Sequence, residues 1–154
     1  MIELVLGGAR SGKSRYAERQ AIDSAKQVVY IATAEAGDSE MQLRIDHHRQ
    51  QRPQNWTTVE EPMHLASAIR QHGEKNNCLL VECLTLWLSN VLFDKHGELQ
   101  PQLFKNERAE LIDALVKCCG QVVLVSNEVG LGLVAMDKMT RRFVDEAGFL
   151  HQEI

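Results

Sequence analysis

The sequence predicts an α/β domain in which a mostly parallel sheet is flanked by helices. Three observations predict it. Short, near-continuously apolar runs recur along the chain, as in strands buried on both faces. Helix-patterned segments separate them, which is the alternation of parallel βαβ units. A glycine-rich loop at residues 7–14 joins the first such run to the first such helix.

Ile2 to Leu6 is the first apolar run and stops at Gly7-Gly8. A helix is expected from Lys13 to about Ala21, then a strand from Val28 to Ala32. The next helix is expected over Ser39 to Arg52. Ser39 and Gln42 have capping-box spacing at its start, and Pro53 closes it, because the residue before proline avoids the α region. A weaker extended piece runs from Trp56 to Val59. Pro62 suits the first position of a further helix, with Leu65, Ala66 and Ile69 at core spacing. Cys78 to Cys83 (CLLVEC) and Val122 to Val125 (VVLV) complete the main strands. Helices are expected over Leu84 to Phe93 and Leu103 to Cys118, with a polar surface loop from Asp94 to Pro101. Leu131 to Met136 reads as an apolar loop or interface segment.

A chain of 154 residues fits one domain. Its 44% hydrophobic and 25% charged residues are an ordinary globular mix, which rules out a disordered or collagen-like chain. Net charge is −4, which argues against a nucleic-acid binder. Of the four cysteines, Cys78 and Cys83 read as buried apolar residues and Cys118 and Cys119 as free thiols. They form no C-x-x-C pair, so neither a zinc site nor a disulfide framework is expected. The start lacks a secretory pattern, and no run of about 18 apolar residues would span a membrane. A reducing cytoplasm is the expected location.

Gly7-Gly8-Ala9-Arg10-Ser11-Gly12-Lys13-Ser14 satisfies G-x-x-x-x-G-K-[ST] in full. Glycines let backbone N–H groups wrap around phosphate oxygens, Lys13 would reach the β- and γ-phosphates, and Ser14 would bind Mg²⁺. The helix that follows points its positive end at the same anion. Such a site calls for a carboxylate at a strand end. Glu82, closing CLLVEC, is the best candidate, the alternative being a simple cap on the next helix.

The segment RIDHHRQQRP at 44–53 is the second informative stretch. On a helix Arg44, His48 and Arg52 share one face. Stacked cations are a poor way to hold a helix together and a good way to hold a phosphate chain. Nearby cations also keep an imidazole neutral, and a neutral imidazole can attack phosphorus. His47 points about 100° away, so His48 is preferred to His47 as nucleophile. A merely solvated charged face is the competing reading. Glu60 could accept hydrogen bonds from a guanine base or serve only as a helix-terminal charge. Asn127 and Glu128 follow the VVLV strand, at the strand ends that face ligands in open α/β sheets, or simply terminate that strand. His64, His72, His96 and His151 read as surface residues.

Together these pieces resemble the bifunctional adenosylcobinamide kinase / adenosylcobinamide-phosphate guanylyltransferase family. The resemblance rests on GGARSGKSRYAE at 7–18, YIATAEA at 30–36, MQLRIDHHRQQRP at 41–53 and WTTVEEP at 56–62. LLVECLTLWLSN at 79–90, VVLVSNEVGLGLV at 122–134 and RRFVDEAG at 141–148 continue it over nearly the whole chain. It implies a P-loop fold related to RecA. It implies phosphorylation of the aminopropanol hydroxyl of adenosylcobinamide by ATP or GTP. GMP would then pass from GTP to that phosphate through a GMP-histidine. By motif position the guanylylated residue is His48, with His47 as runner-up. The nucleotide would touch Gly7 to Ser14, Ala32, Thr33, Ala34, Arg49, Gln50, Gln51, Arg52, Glu60 and Glu82. A homo-oligomer is also implied.

Two departures accompany the resemblance. Ala135 stands where the family has proline, and the chain stops at Ile154, where the family continues through the rest of a helix and a last strand. Residues 1–154 are accordingly expected to form a single catalytic domain with an uncovered sheet edge. The competing functions are a P-loop small-molecule kinase without histidine chemistry and a non-catalytic RecA-like nucleotide-binding module.

Overall fold

The structure is a computed structural model and describes residues 1–34, 53–130 and 136–154. Its described elements, in order, are β1 (Ile2–Gly7), α1 (Lys13–Asp23), β2 (Gln27–Ala32), β3 (Thr57–Glu60) and α2 (Leu65–His72). β4 (Asn77–Glu82), α3 (Leu84–Leu92), α4 (Pro101–Lys117), β5 (Gln121–Asn127) and α5 (Lys138–Glu153) follow. The strands form one sheet in the order β1-β5-β4-β2-β3, with every pair parallel. The expected fold class is therefore the observed one. β1, β2 and β5 run a residue or two beyond the expected bounds, β3 lies one residue later than expected, and β4 stops at Glu82 because Cys83 caps the next helix.

Alternation along the strands divides the core in two, because successive side chains point to opposite faces. Val28, Tyr30, Leu80, Val123 and Val125 face one way, against Ala17 and Ala21 of α1. Val29, Ile31, Leu79, Val81, Val122 and Leu124 face the other, against residues of α2, α3, α4 and α5. Alanines spaced four apart let α1 lie close on its face, and both are fully buried. Cys78 and Cys83 are buried as expected, and all four cysteines are free thiols.

Three helical expectations change. The helix predicted from Pro62 begins at Leu65. The Glu61 carboxylate accepts hydrogen bonds from the Met63 and His64 backbone N–H groups (3.1 and 2.8 Å) and turns the chain before the helix can start. The loop predicted to include Pro101 ends one residue earlier, because Pro101 opens α4 as a first-turn proline. Helix α5 is not announced by apolar periodicity. It buries Glu146, Ala147 and Leu150, and its start is capped by Asp137, whose side chain accepts from the Thr140 N–H at 2.7 Å. Arg108 of α4 reaches both Glu146 and Glu153 of α5, and Arg142 also pairs with Glu146. That buried carboxylate is thus held by two guanidinium groups. The helix expected over 39–52 and the apolar stretch 131–135, including Ala135, lie outside the described residues. Among the described residues no helix is long and apolar enough to cross a membrane.

Candidate nucleotide site

β1 ends at Gly7 and the chain turns through residues 8–12 into α1. A Cβ at Gly7 would sit 2.6 Å from Ser11 Oγ, so a side chain there would turn the Ser11 hydroxyl out of the loop. Gly12, at the helix N-cap, has φ +87, a conformation that L side chains rarely adopt. Arg10 also has positive φ, at 56°. The Ser11 N–H turns back to the Gly8 carbonyl, and the Lys13 Nζ donates to the same carbonyl at 3.2 Å. The lysine is therefore folded over the loop that would cradle phosphates, and Gly8, Ala9, Arg10 and Ser11 are exposed.

The sheet register aligns the other candidates. Ala32 ends β2 and pairs with Glu60, the end of β3, on one side and Glu82, the end of β4, on the other. Gly7 pairs with Asn127 of β5, and the Glu128 N–H donates to the Gly7 carbonyl at 2.9 Å. All these residues lie on the C-terminal edge of the parallel sheet, where the α/β architecture puts ligands. Across that edge the Ser14 hydroxyl donates to Glu82 Oε1 at 2.9 Å. A hydroxyl and a carboxylate are the hard oxygen donors that Mg²⁺ prefers, and Mg²⁺ completes its shell with water and phosphate. Among the described residues no cluster of three His, Cys, Asp or Glu could hold a metal by protein groups alone.

Thr33 is fully buried, and its hydroxyl donates to the Cys83 carbonyl (2.7 Å) while accepting from the Cys83 N–H (2.8 Å). Its side chain thus braces β2 to the turn after Glu82, leaving Ala34 partly exposed beside it. Burial pushes the Cys83 thiol up, so it stays protonated, and its sulfur accepts from the Leu86 N–H at the start of α3. His47, His48, Arg49, Gln50, Gln51 and Arg52 lie outside the described residues.

Residue patterns alone missed two side chains at this edge. Asn90 of α3 donates from Nδ2 to both the Thr33 and the Pro62 carbonyls (3.0 and 3.1 Å), tying the loop after β2 to the loop after β3. Thr85 Oγ1 accepts from the Asn127 N–H at 2.7 Å, and stands 3.0 Å from Ser126 Oγ. Ser126 in turn lies 2.8 Å from His151 Nε2. His151, expected on the surface, is therefore anchored to a buried serine, and burial pulls its pKa below the ordinary histidine value while Glu128 opposes the shift. The available signal was polarity out of place: Thr85, Ser89 and Asn90 interrupt an otherwise apolar helix.

A strand, a turn of this geometry, a lysine folded across it and a facing carboxylate define a P-loop nucleotide-binding protein. A family model described as CobU, "Cobinamide kinase / cobinamide phosphate guanyltransferase", matches residues 3–154. The chain belongs to that family. It is 53% identical over 154 residues to the "Bifunctional adenosylcobalamin biosynthesis protein CobP" of Pseudomonas aeruginosa, covering all of this chain and 87% of that protein. It is 45% and 42% identical over 163 residues to the proteins named "Bifunctional adenosylcobalamin biosynthesis protein CobU" in Escherichia coli and Salmonella typhimurium, covering 90% of each.

Proposed function

We propose that this chain catalyses both reactions of its family on a cobinamide substrate. In the first, the substrate hydroxyl attacks the γ-phosphorus of ATP or GTP, and the nucleoside diphosphate leaves. In the second, a ring nitrogen of His48 attacks the α-phosphorus of GTP. The bond from that phosphorus to the β-phosphate oxygen breaks, and pyrophosphate departs. A phosphate oxygen of cobinamide phosphate then attacks the same phosphorus. The P–N bond breaks, and the product carries a GDP unit while His48 returns as free imidazole. Splitting one hard displacement into two is ordinary nucleophilic catalysis.

Backbone N–H groups of residues 8–14 hold the phosphates, and Lys13 spreads its charge over the β- and γ-oxygens. Arg49 and Arg52 neutralise the departing pyrophosphate. Gln50, Gln51, Glu60 and the residues 32–34 form the remainder of the nucleotide's surroundings. Ser14 and Glu82 supply hard oxygens for Mg²⁺, which when bound offsets phosphate charge as a Lewis acid. Residues 1–154 act as a single catalytic domain, in the cytoplasm and as a homo-oligomer. The observation that carries this reading is the Ser14–Glu82 pair at the phosphate loop, in a chain matched to its family over almost its whole length.

Incubation with Mg²⁺ and GTP labelled in the α-phosphate, followed by denaturation, tests it. Acid-labile, base-stable label is expected on the protein and on His47→Ala. It is expected to be absent from His48→Ala and from reactions with γ-labelled GTP. Equal labelling of His48→Ala would assign the chemistry elsewhere. A folded, GTP-binding chain that never takes the label would be a plain kinase or a binding module.

A further inference from the structure

Beside the nucleotide site, at the far end of α3, two cavities share lining residues. One, of about 500 Å³, is lined by Met63, Ser89, Asn90, Phe93 and Gln100 among others. The other, of about 220 Å³, shares Ser89 and Phe93 and adds Phe143. Phe93 and Phe143 stack with centroids 6.3 Å apart and planes at 28°, giving the groove an aromatic floor. Asp94 and Lys95 also line the larger cavity, and Asn90 adds a neutral amide to its wall. Both hydrogens of that amide are committed to the Thr33 and Pro62 carbonyls, which fixes its orientation. Among the described residues nothing donates to its Oδ1, and the amide is held in place at the groove.

We infer that this groove seats the corrin ring of the cobinamide substrate, an inference that rests on the proposed function. A corrin is a broad apolar macrocycle fringed with primary amides. It needs an apolar, aromatic floor and fixed amide partners at the rim, and this groove has both. The reach is also right. Asn90 lies six residues along α3 from Leu84, about 9 Å at helical rise, and Leu84 follows Glu82 by two positions. The aminopropanol arm of cobinamide spans about seven bonds from ring to hydroxyl oxygen, roughly 9 Å when extended. With the ring against Phe93 and Phe143, that oxygen reaches toward the strand ends that carry Glu82 and Ala32. Asn90 then has two tasks: it ties the two loops together and accepts from a peripheral amide of the ring.

The test separates the two half-reactions of the full chain. His48 takes GMP from GTP with no corrinoid present, so that step does not read the groove. Phe143→Ala removes half the floor, and Ser89→Trp adds bulk at a residue that lines both cavities. Each is assayed for α-label from GTP, and for KM and kcat with cobinamide and ATP. The expected result is self-labelling within twofold of the parent, unchanged KM for ATP, and a cobinamide KM raised tenfold or more. Normal self-labelling also shows that the variants are folded. A cobinamide KM unchanged in both variants would overturn the groove assignment. A parent chain that labels but neither phosphorylates nor binds cobinamide would overturn it as well. A parent that does not label at all would instead sink the histidine chemistry, while the KM comparison in the kinase reaction still judges the groove.

Discussion

Ser14 and Glu82 are 68 residues apart in the chain and share a hydrogen bond of 2.9 Å. The first sits at the start of the helix after β1, the second at the end of β4, and the parallel sheet delivers both to one edge. Glu82→Gln preserves the shape and an acceptor but removes the charge. Its kcat/KM in both reactions should fall by about 10²–10³, the scale of losing one preorganised electrostatic group, with little change in melting temperature. Steady-state kinetics beside thermal unfolding would check this. Thr33 makes the opposite kind of contribution. Thr33→Val strips the acceptor from the buried Cys83 N–H, at a cost of about 1–3 kcal/mol, visible as a lower urea midpoint at unchanged slope. Glu82 was legible as a candidate because it closes an apolar run at a strand end, where a helix cap was the competing reading. Asn90 was not, because its role depends on which two loops meet over it, and no local pattern encodes that meeting.

At the scale of elements, α1 shows how a small residue acts at a distance. Ala17 and Ala21 are fully buried against β4 and β5, and the N-terminus of the same helix is the phosphate loop. Ala17→Leu would push the helix off the sheet. Overpacking of this kind costs about 1–3 kcal/mol, and here it should also weaken nucleotide affinity, since the loop moves with the helix. Denaturant titration and GTP binding, measured on one preparation, would show both losses. The strands and α1, α3 and α4 were readable from apolar runs and turn residues. Helix α2 starts later than Pro62 suggests because the Glu61 carboxylate takes the Met63 and His64 backbone donors into a turn ahead of the helix. Helix α5 was hidden because its inward face contains a charged residue: Glu146, buried between Arg108 and Arg142, breaks the apolar repeat that reveals other helices. Asp137 at its N-cap was the readable signal.

For the whole molecule, the link from α5 to the sheet runs through His151 and Ser126. Burial favours the neutral imidazole, so the folded chain binds a proton less readily at this site than the unfolded chain does. Stability from this group is complete above the ordinary histidine pKa of about 6.5 and declines as pH falls below it toward the lower folded-state value. His151→Gln keeps a partner for Ser126 without a titrating ring. The difference in unfolding free energy between parent and variant should therefore move against the parent as pH drops from 7 to 5; a constant difference would show that His151 does not titrate with folding. Strand order was the least legible property of all. Each strand could be found from its own residues, but nothing within β1 says that its neighbour is β5 rather than β2.

That pairing has a consequence for how the protein is made. Ile2 is in register with Val122, and Gly7 with Asn127. β1 thus leaves the ribosome well ahead of the strand it pairs with. At about 5–20 residues per second, roughly 6–24 s pass between the two. Throughout that interval β1 lacks its partner and the glycine turn has no Asn127 beside it. The edge that pairs Gly7 with Asn127 is consequently complete only once β5 has been made, and until then the nascent chain must be kept from associating through β1.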